Sequence, residues 1–280
     1  MKLDIHSYFP SSDHKLAIYC SVQEDNNKEH CHEFHELVLV RRGHGLHVIN
    51  SQPYFIKTGD IFFVSNQDYH FYDELGTLSL VNILINPYQD FRFLKNIDQL
   101  LTQVEANRFD HYGWMNTSVI EQKLALIEQT WMNSEPLILN DLDIAKQESI
   151  FFQLVVSVVN ATGIDKNSTD YKLHQLLKYI QFHCFESMNW DALSGAYDIP
   201  PRTLYRCLKN MTGMTPEHYV KRLRLISARK YIRETDIPIT TIALDCGFVS
   251  TNHFATAYKS VFHKSPSEER RQLLSDESVL

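Results

Sequence analysis

LYRCLKNMTGMTP, residues 204–216, returns fifty positions later as FATAYKSVFHKSP, residues 254–266. Leu204 aligns with Phe254, Leu208 with Tyr258, Lys209 with Lys259, Gly213 with His263, Thr215 with Ser265 and Pro216 with Pro266. A short apolar helix pattern precedes each copy: Trp190, Leu193 and Ser194 before the first, Ile242, Ala243 and Cys246 before the second. A short helix, a tight turn, a second helix and a Thr/Ser-Pro stop make a helix-turn-helix, and the chain carries it twice. The second helix of such a unit is about as wide as the major groove of B-DNA and offers one face to base edges. Double-stranded DNA is therefore the first partner to which the sequence points.

The 280 residues leave room for two ordinary domains with their own cores. Hydrophobic content of 44% and charged content of 22% are those of a globular chain in water. The longest apolar run, Leu154 to Val159, is broken by Ser157 and falls far short of the ~20 residues that span a bilayer. The opening MKLDIHSYFPSSDHK has neither an apolar core nor a small-residue cleavage site. Cys20, Cys31, Cys184, Cys207 and Cys246 are odd in number and scattered, which argues against a disulfide framework and for a reducing, cytoplasmic setting. The net charge of −7 hides an asymmetry: residues 171–272 carry 15 Lys and Arg against 9 Asp and Glu, while residues 1–170 carry 12 against 23. Only the basic part is suited to approach phosphates.

Residues 1–88 read as β structure. Leu37–Val40, Leu46–Ile49, Ile61–Val64 and Leu78–Ile85 are short apolar runs separated by turn signals at 42–45, Gln52-Pro53, 58–60 and 66–68. Strands at this spacing imply a small barrel or jelly roll. The period then becomes helical at Ile120, Leu124, Ile127 and Trp131, and again at Phe151, Leu154, Val155 and Val158. Two such helices serve either as a cover over the barrel or as the seam of a homodimer, and periodicity does not choose between them. Residues 163–170 form a polar, Gly-led linker, after which Leu173, Leu176, Leu177, Ile180 and Phe185 begin a helical domain. The expected organisation is an α+β chain: a barrel-and-helix domain over 1–162, the linker, an all-α domain with two helix-turn-helix units over 171–272, and a tail from 273 to 280. The longest helix expected in the second domain, Glu217 to Glu234, spans ~27 Å at ~1.5 Å per residue, which places the two reading helices about one DNA turn apart.

The C-terminal hundred residues resemble the AraC-type transcription regulators. The carriers are Arg202-Thr203-Leu204-Tyr205-Arg206, Lys209, Gly213-Met214-Thr215-Pro216, Tyr219, Arg222-Leu223-Arg224, Ala228-Arg229 and Ile242-Ala243-x3-Gly247-Phe248. Within that family the chain is similar to regulators of rhamnose operons, through Tyr8-Phe9-Pro10-Ser11, residues 32–56, Phe91-Arg92-Phe93-Leu94, Asn189-Trp190-Asp191-Ala192 and residues 202–225. The resemblance implies a cupin-like N-terminal domain that senses a sugar and dimerises. It also implies activation of rhamnose catabolic and transport genes, with L-rhamnose or a related sugar as effector and RNA polymerase as a partner. Three positions depart from the family pattern: Pro200 stands where a capping Ser is usual, Ser194 where a small Ala is usual, and His263 where the second copy usually has Gly or Asn.

Arg202 and Arg206 are four apart and share a helix face opposite Leu204 and Leu208, and Arg suits bidentate contact with guanine. Thr203 joins them. The second reading helix offers Thr251, Asn252, His253 and Thr256, without Arg or Lys; Asn pairs with adenine and Thr methyls meet thymine methyls. Lys209, Lys259, Arg270 and Arg271 read as phosphate contacts or solvated surface.

In the first domain His30, His32 and Glu36 share strand parity and are followed by His70. Polar side chains here suit sugar hydroxyls, and His32, Glu36, His47, Tyr54, His70 and Asn82 are the candidate pocket. That reading takes no metal and no cofactor. Its rival is a metal-dependent cupin enzyme fused to a DNA-binding domain, with His30, His32, Glu36 and His70 as ligands of a divalent ion. Other reaction classes find no motif, since the chain lacks a Gly-rich phosphate loop, Gly-x-Ser-x-Gly and Cys-x-x-Cys.

Overall fold

A computed structural model describes residues 2–21, 29–74, 78–106, 113–114, 117–132, 140–159 and 169–277. The expected linker at 163–170 lies outside them except for its last two residues. The chain divides into two compact units, residues 1–50 with 56–165 and residues 51–55 with 166–280.

The elements before residue 165 are β1 (Lys2–Leu3), α1 (Ile5–Tyr8), β2 (Leu16–Ser21), β3 (Cys31–His32), β4 (His35–Arg42), β5 (His44–Ile49), β6 (Gln52–Lys57), β7 (Asp60–Val64), β8 (His70–Glu74), β9 (Ser79–Ile85), α2 (Asp98–Ala106), β10 (Gly113–Trp114), α3 (Thr117–Met132) and α4 (Asp141–Val159). One sheet has the order β10-β7-β4-β9-β2, a second β6-β5-β8, and β1 pairs with β3. Gln52-Pro53, expected as a turn, instead opens β6, an outer strand where a missing N–H is tolerated.

The five-stranded sheet is covered on both faces. Leu37 and Leu39 of β4 lie opposite Phe63 and Ile61 of β7 and Ile83 and Val81 of β9. This face packs on Val104, Ile120, Leu124, Ile127, Phe151, Leu154 and Val155 of the three helices. The Ile120, Leu124, Ile127 and Trp131 stripe is thus core, and the seam alternative for these residues falls. The other face carries Glu36 and Val38 of β4, Phe62 of β7 and Asn82 of β9. There His47 of β5 stacks on Phe62 at 4.7 Å, joining this sheet to the three-stranded one.

Glu148 of α4 is buried, and its carboxylate accepts from the backbone N–H groups of Arg92, Phe93 and Leu94 at 2.7, 2.8 and 2.9 Å. Phe91 stacks on Phe151 one helical turn away. The stretch after β9 is thereby fastened to the helix layer.

The second unit runs α5 (Thr169–Phe182), α6 (Trp190–Ala196), α7 (Pro201–Thr212), α8 (Pro216–Glu234), α9 (Ile239–Asp245), α10 (Thr251–Phe262) and α11 (Pro266–Glu277). Phe185, one of the apolar residues read as opening this domain, lies beyond the end of its first helix and is exposed. The pairs α6–α7 and α9–α10 are the two copies. Thr215 and Ser265 do not stop the reading helices; they start the next ones. Thr215 Oγ1 caps α8, and Ser265 with Glu268 makes a reciprocal capping box on α11. The stops are Gly213 and His263, both left-handed at φ 72° and 61°, each returning its N–H to the carbonyl of Lys209 or Lys259.

Arg224 on α8 ties the copies together. Its guanidinium donates to the carbonyls of Cys184 at 2.6 Å, Glu186 at 2.8 Å and Gly247 at 2.7 Å. Gly247 has φ 78°, and a Cβ there would stand 2.6 Å from the Phe185 carbonyl oxygen. On the far side, buried Glu269 accepts from Arg229 and from the Tyr258 hydroxyl, each at 2.7 Å. Arg270, expected at phosphates or solvent, donates to the carbonyls of Ile232 and Ile237 and so finishes α8.

Two stability outcomes follow. Glu148→Ala strands three N–H groups and lowers unfolding free energy by roughly 2–4 kcal/mol, read by urea denaturation; an unchanged midpoint refutes the role given to the carboxylate. Gly247→Ala costs roughly 2 kcal/mol or more, whereas Gly195→Ala, whose Cβ meets nothing within 4 Å, stabilises by roughly 0.5–1 kcal/mol. Equal melting shifts for the two glycines would contradict this.

Candidate functional site

Helix α7 is sharply two-sided. Pro201 at its first turn fits a position whose N–H has no intrahelical partner, although Pro200 gives no side-chain cap. Leu204 and Leu208 are fully buried, and Arg202, Arg206 and Lys209 are exposed, with Thr203 half-buried. Ser194, the larger residue in place of Ala, is accommodated because its hydroxyl donates to the Ile199 carbonyl at 2.5 Å across the turn. Tyr205 lies between the two arginines in sequence, and its hydroxyl donates to Glu217 at 2.5 Å. That hydrogen bond pushes the phenol up to about 12. Sequence reasoning missed this pair, because twelve residues and a turn separate its members.

Helix α10 repeats the plan with other chemistry. Ser250 caps it by accepting from the His253 N–H at 3.2 Å. Phe254, Ala257 and Tyr258 are buried, Asn252, His253, Thr256 and Lys259 are exposed, and Thr251 is half-buried. Val249, just before the cap, is 91% exposed. Of the reading positions named from sequence on α7 and α10, all are exposed except Thr203 and Thr251, which are half-buried.

The polar residues of the first unit converge differently from the sequence expectation. His32 and Glu36 do not share one strand: β3 ends at His32 and β4 begins at His35, in different sheets. They still meet, with Nε2 of His32 3.7 Å from Oε2 of Glu36 and Nε2 of His70 4.0 Å from the same oxygen. His32 Nε2 and His70 Nε2 are 3.2 Å apart, and His70 Nδ1 is 3.0 Å from His47 Nε2. His32 Nδ1 donates to the Phe34 carbonyl at 2.5 Å. Burial holds His32 down at about 4 and His47 at about 3, with His70 also well below the usual imidazole range. All three are therefore neutral near pH 7. His30 is half-buried beside them and pairs through its backbone with His70. Asn82 is buried on the same sheet face as Glu36, and its Oδ1 has no hydrogen-bond partner among the described residues. Tyr54 is half-exposed on β6, unlike the fully buried histidines. His70 touches both His32 and His47, so no hexose fits between it and either of them.

The described residues hold no helix long and apolar enough to cross a membrane. Residues 193–272 match the model of a helix-turn-helix domain, and residues 16–129 match that of an AraC-like ligand binding domain. The HTH-type transcriptional activator RhaS of Escherichia coli strain SMS-3-5 is 35% identical over 271 residues, covering 95% of this chain and 96% of that protein. RhaS of E. coli O127:H6 is 34% identical over the same share of both chains. Among solved structures, an AraC-type regulator from Chromobacterium violaceum is 31% identical over 38% of this chain and 94% of its own, with a TM-score of 0.36. The two family models divide the chain as its geometry does, a ligand-binding unit ahead of a helix-turn-helix unit. The chain belongs to the AraC family: it is a DNA-binding transcriptional activator and not an enzyme.

Proposed function

We propose that this activator switches on genes for L-rhamnose catabolism and transport when the sugar is present. The observation that carries the DNA-reading part is the pair of exposed strips, Arg202, Arg206 and Lys209 on α7 and Asn252, His253, Thr256 and Lys259 on α10, with half-buried Thr203 and Thr251 beside them. Helix α8, nineteen residues or ~28 Å long, separates them by a length that suits successive major grooves on one DNA face. Arg202 and Arg206 take bases, Lys209 and Lys259 take phosphates. The effector reading rests on the resemblance to regulators of rhamnose operons and on the polar inner face of the first unit. Of the residues assigned to it, Asn82 and the sheet positions around it are the better suited to hydroxyls, since an unpaired buried amide oxygen gains from a donor.

The activator acts in the cytoplasm as a homodimer that presents a surface to RNA polymerase. With the Ile120 stripe buried, the outer sides of α3 and α4, where Leu126 and Phe152 are exposed, are the proposed dimer face.

Selection of duplexes from a random pool by the full chain, followed by affinity measurement, tests the reading of bases. Arg206→Ala costs about 1–3 kcal/mol and relaxes preference at one base position, while Lys259→Ala weakens all duplexes alike and lowers the salt slope. Equal loss on matched and mismatched duplexes for both variants would refute the sorting of contacts. Titration calorimetry of the full chain with L-rhamnose, L-fucose and L-arabinose tests the effector: saturable heat is expected with rhamnose and a weaker response with the others. Heat with none of them, or with arabinose alone, overturns the rhamnose assignment.

A further inference from the structure

We propose that His32, His70 and Glu36 bind one divalent first-row transition-metal ion, of the Zn²⁺ or Fe²⁺ class, inside the first unit. The ion is structural, in a protein that is no enzyme, and the proposal does not rest on the rhamnose reading. His30 is not among the ligands, because the three converging donor atoms belong to the other residues.

The spacing sets the size of the occupant. Nε2 of His32, Nε2 of His70 and Oε2 of Glu36 lie 3.2, 3.7 and 4.0 Å from one another. An ion bound at ~2.0–2.2 Å to each donor requires donor–donor edges of roughly 3.0–3.6 Å. The observed triangle is that of a single bound atom with slight contraction, and far too small for a sugar ring. All three residues are nearly or wholly buried, so no bulk solvent competes for the donors.

Proton placement supports the same occupant. A neutral imidazole carries one N–H, and that of His32 is on Nδ1, donated to Phe34. Its Nε2 is consequently a bare lone pair aimed at the group. A hydrogen bond to a backbone carbonyl from the far nitrogen is the outer support that ligating histidines use. His70 has the matching support on its own far side, where Nδ1 faces His47 Nε2. With the His70 proton on Nδ1, both Nε2 lone pairs and a carboxylate oxygen face one point, and a cation relieves their repulsion. With it on Nε2, His70 donates to His32 instead, and the proton of His47 moves to Nε2. The buried His47 Nδ1 has no hydrogen-bond partner among the described residues in either arrangement, so it does not choose between them, and the convergence of the two Nε2 atoms and the Glu36 oxygen carries the metal reading. Two imidazoles and one carboxylate suit a first-row ion and leave positions open for water or a further ligand. Such an ion would join β3, β4 and β8, strands from three separate sheets.

The test uses the full chain after chelator treatment and Co²⁺ as a spectroscopic probe. Expected are one high-affinity Co²⁺ per chain with visible d–d absorption, displacement by Zn²⁺, and a higher Tm in the metal-bound form. His70→Gln and Glu36→Gln each remove the absorbing site, and His47→Gln, which only orients His70, weakens it by roughly 10–100-fold. His183→Ala, at an exposed His–Glu pair 2.9 Å apart, leaves the absorption unchanged. Circular dichroism establishes that each variant is folded, and Glu36→Gln decides the matter if His70→Gln is not. Absence of saturable Co²⁺ binding by the folded chain overturns the proposal, as does binding that survives both Glu36→Gln and His70→Gln. Separately, ¹⁵N chemical shifts distinguish the two proton arrangements, and a set of shifts indifferent to Zn²⁺ also overturns it.

Discussion

A strand covered on both faces has nowhere to send its polar side chains except into the protein. In β4 the alternation of HELVLVRR gives Leu37 and Leu39 to the helices and Glu36 and Val38 to the opposite sheet. Glu36 thereby becomes a buried carboxylate, and a buried carboxylate requires partners. The chain supplies imidazoles from β3, β5 and β8 around that point. The aromatic stack of His47 on Phe62 and the edge contact of His70 with Tyr72 fill what remains. The polar centre of this unit is accordingly a consequence of how its central sheet is enclosed. It also explains why the helices α2, α3 and α4 matter to a site they never touch: they close the other face.

The DNA-binding unit follows a different economy, with short helices fixed at their ends. Each reading helix is stopped by a left-handed residue and followed by a Thr-Pro or Ser-Pro start. The second copy places His263 at φ 61°, where the first has glycine. A side chain with a Cβ is strained there, and the cost is offset by the same backbone hydrogen bond to the helix. The buried Glu269 of α11 accepts from Arg229 of α8 and from Tyr258 of α10, which fastens the second copy to the helices on either side of it. The two copies are similar in path and different in what fastens them.

Much of this was legible in the sequence because the signals are local. The fifty-residue repeat, the arginine pair on one helix face and the four apolar runs that became β4, β5, β7 and β9 all depend on neighbours within a few positions. The misreadings and the choices left open are those where a distant residue decides. Periodicity marks Ile120, Leu124 and Ile127 as apolar on one side, yet only the sheet they cover makes that side core. Arg270 looks like surface charge until the carbonyls of Ile232 and Ile237 reach it. The His32–Glu36 pairing was expected from parity along one strand, and it arises instead across a bend between two sheets. Thr-Pro was read as an ending because a repeat unit shows its limits and not its direction.

Arg224 gives the operator a phase. One guanidinium grips the chain just ahead of the first copy and the turn of the second, so the two reading helices share a single frame. Bases in successive turns of a duplex are offset in rotation as well as in distance, and one added base pair swings the second groove by about 34–36°. A protein with a flexible joint between its readers would follow that swing by bending itself. With both helices docked as proposed, the torsion would fall on the DNA, and spacer length in a promoter would become part of the sequence that is read.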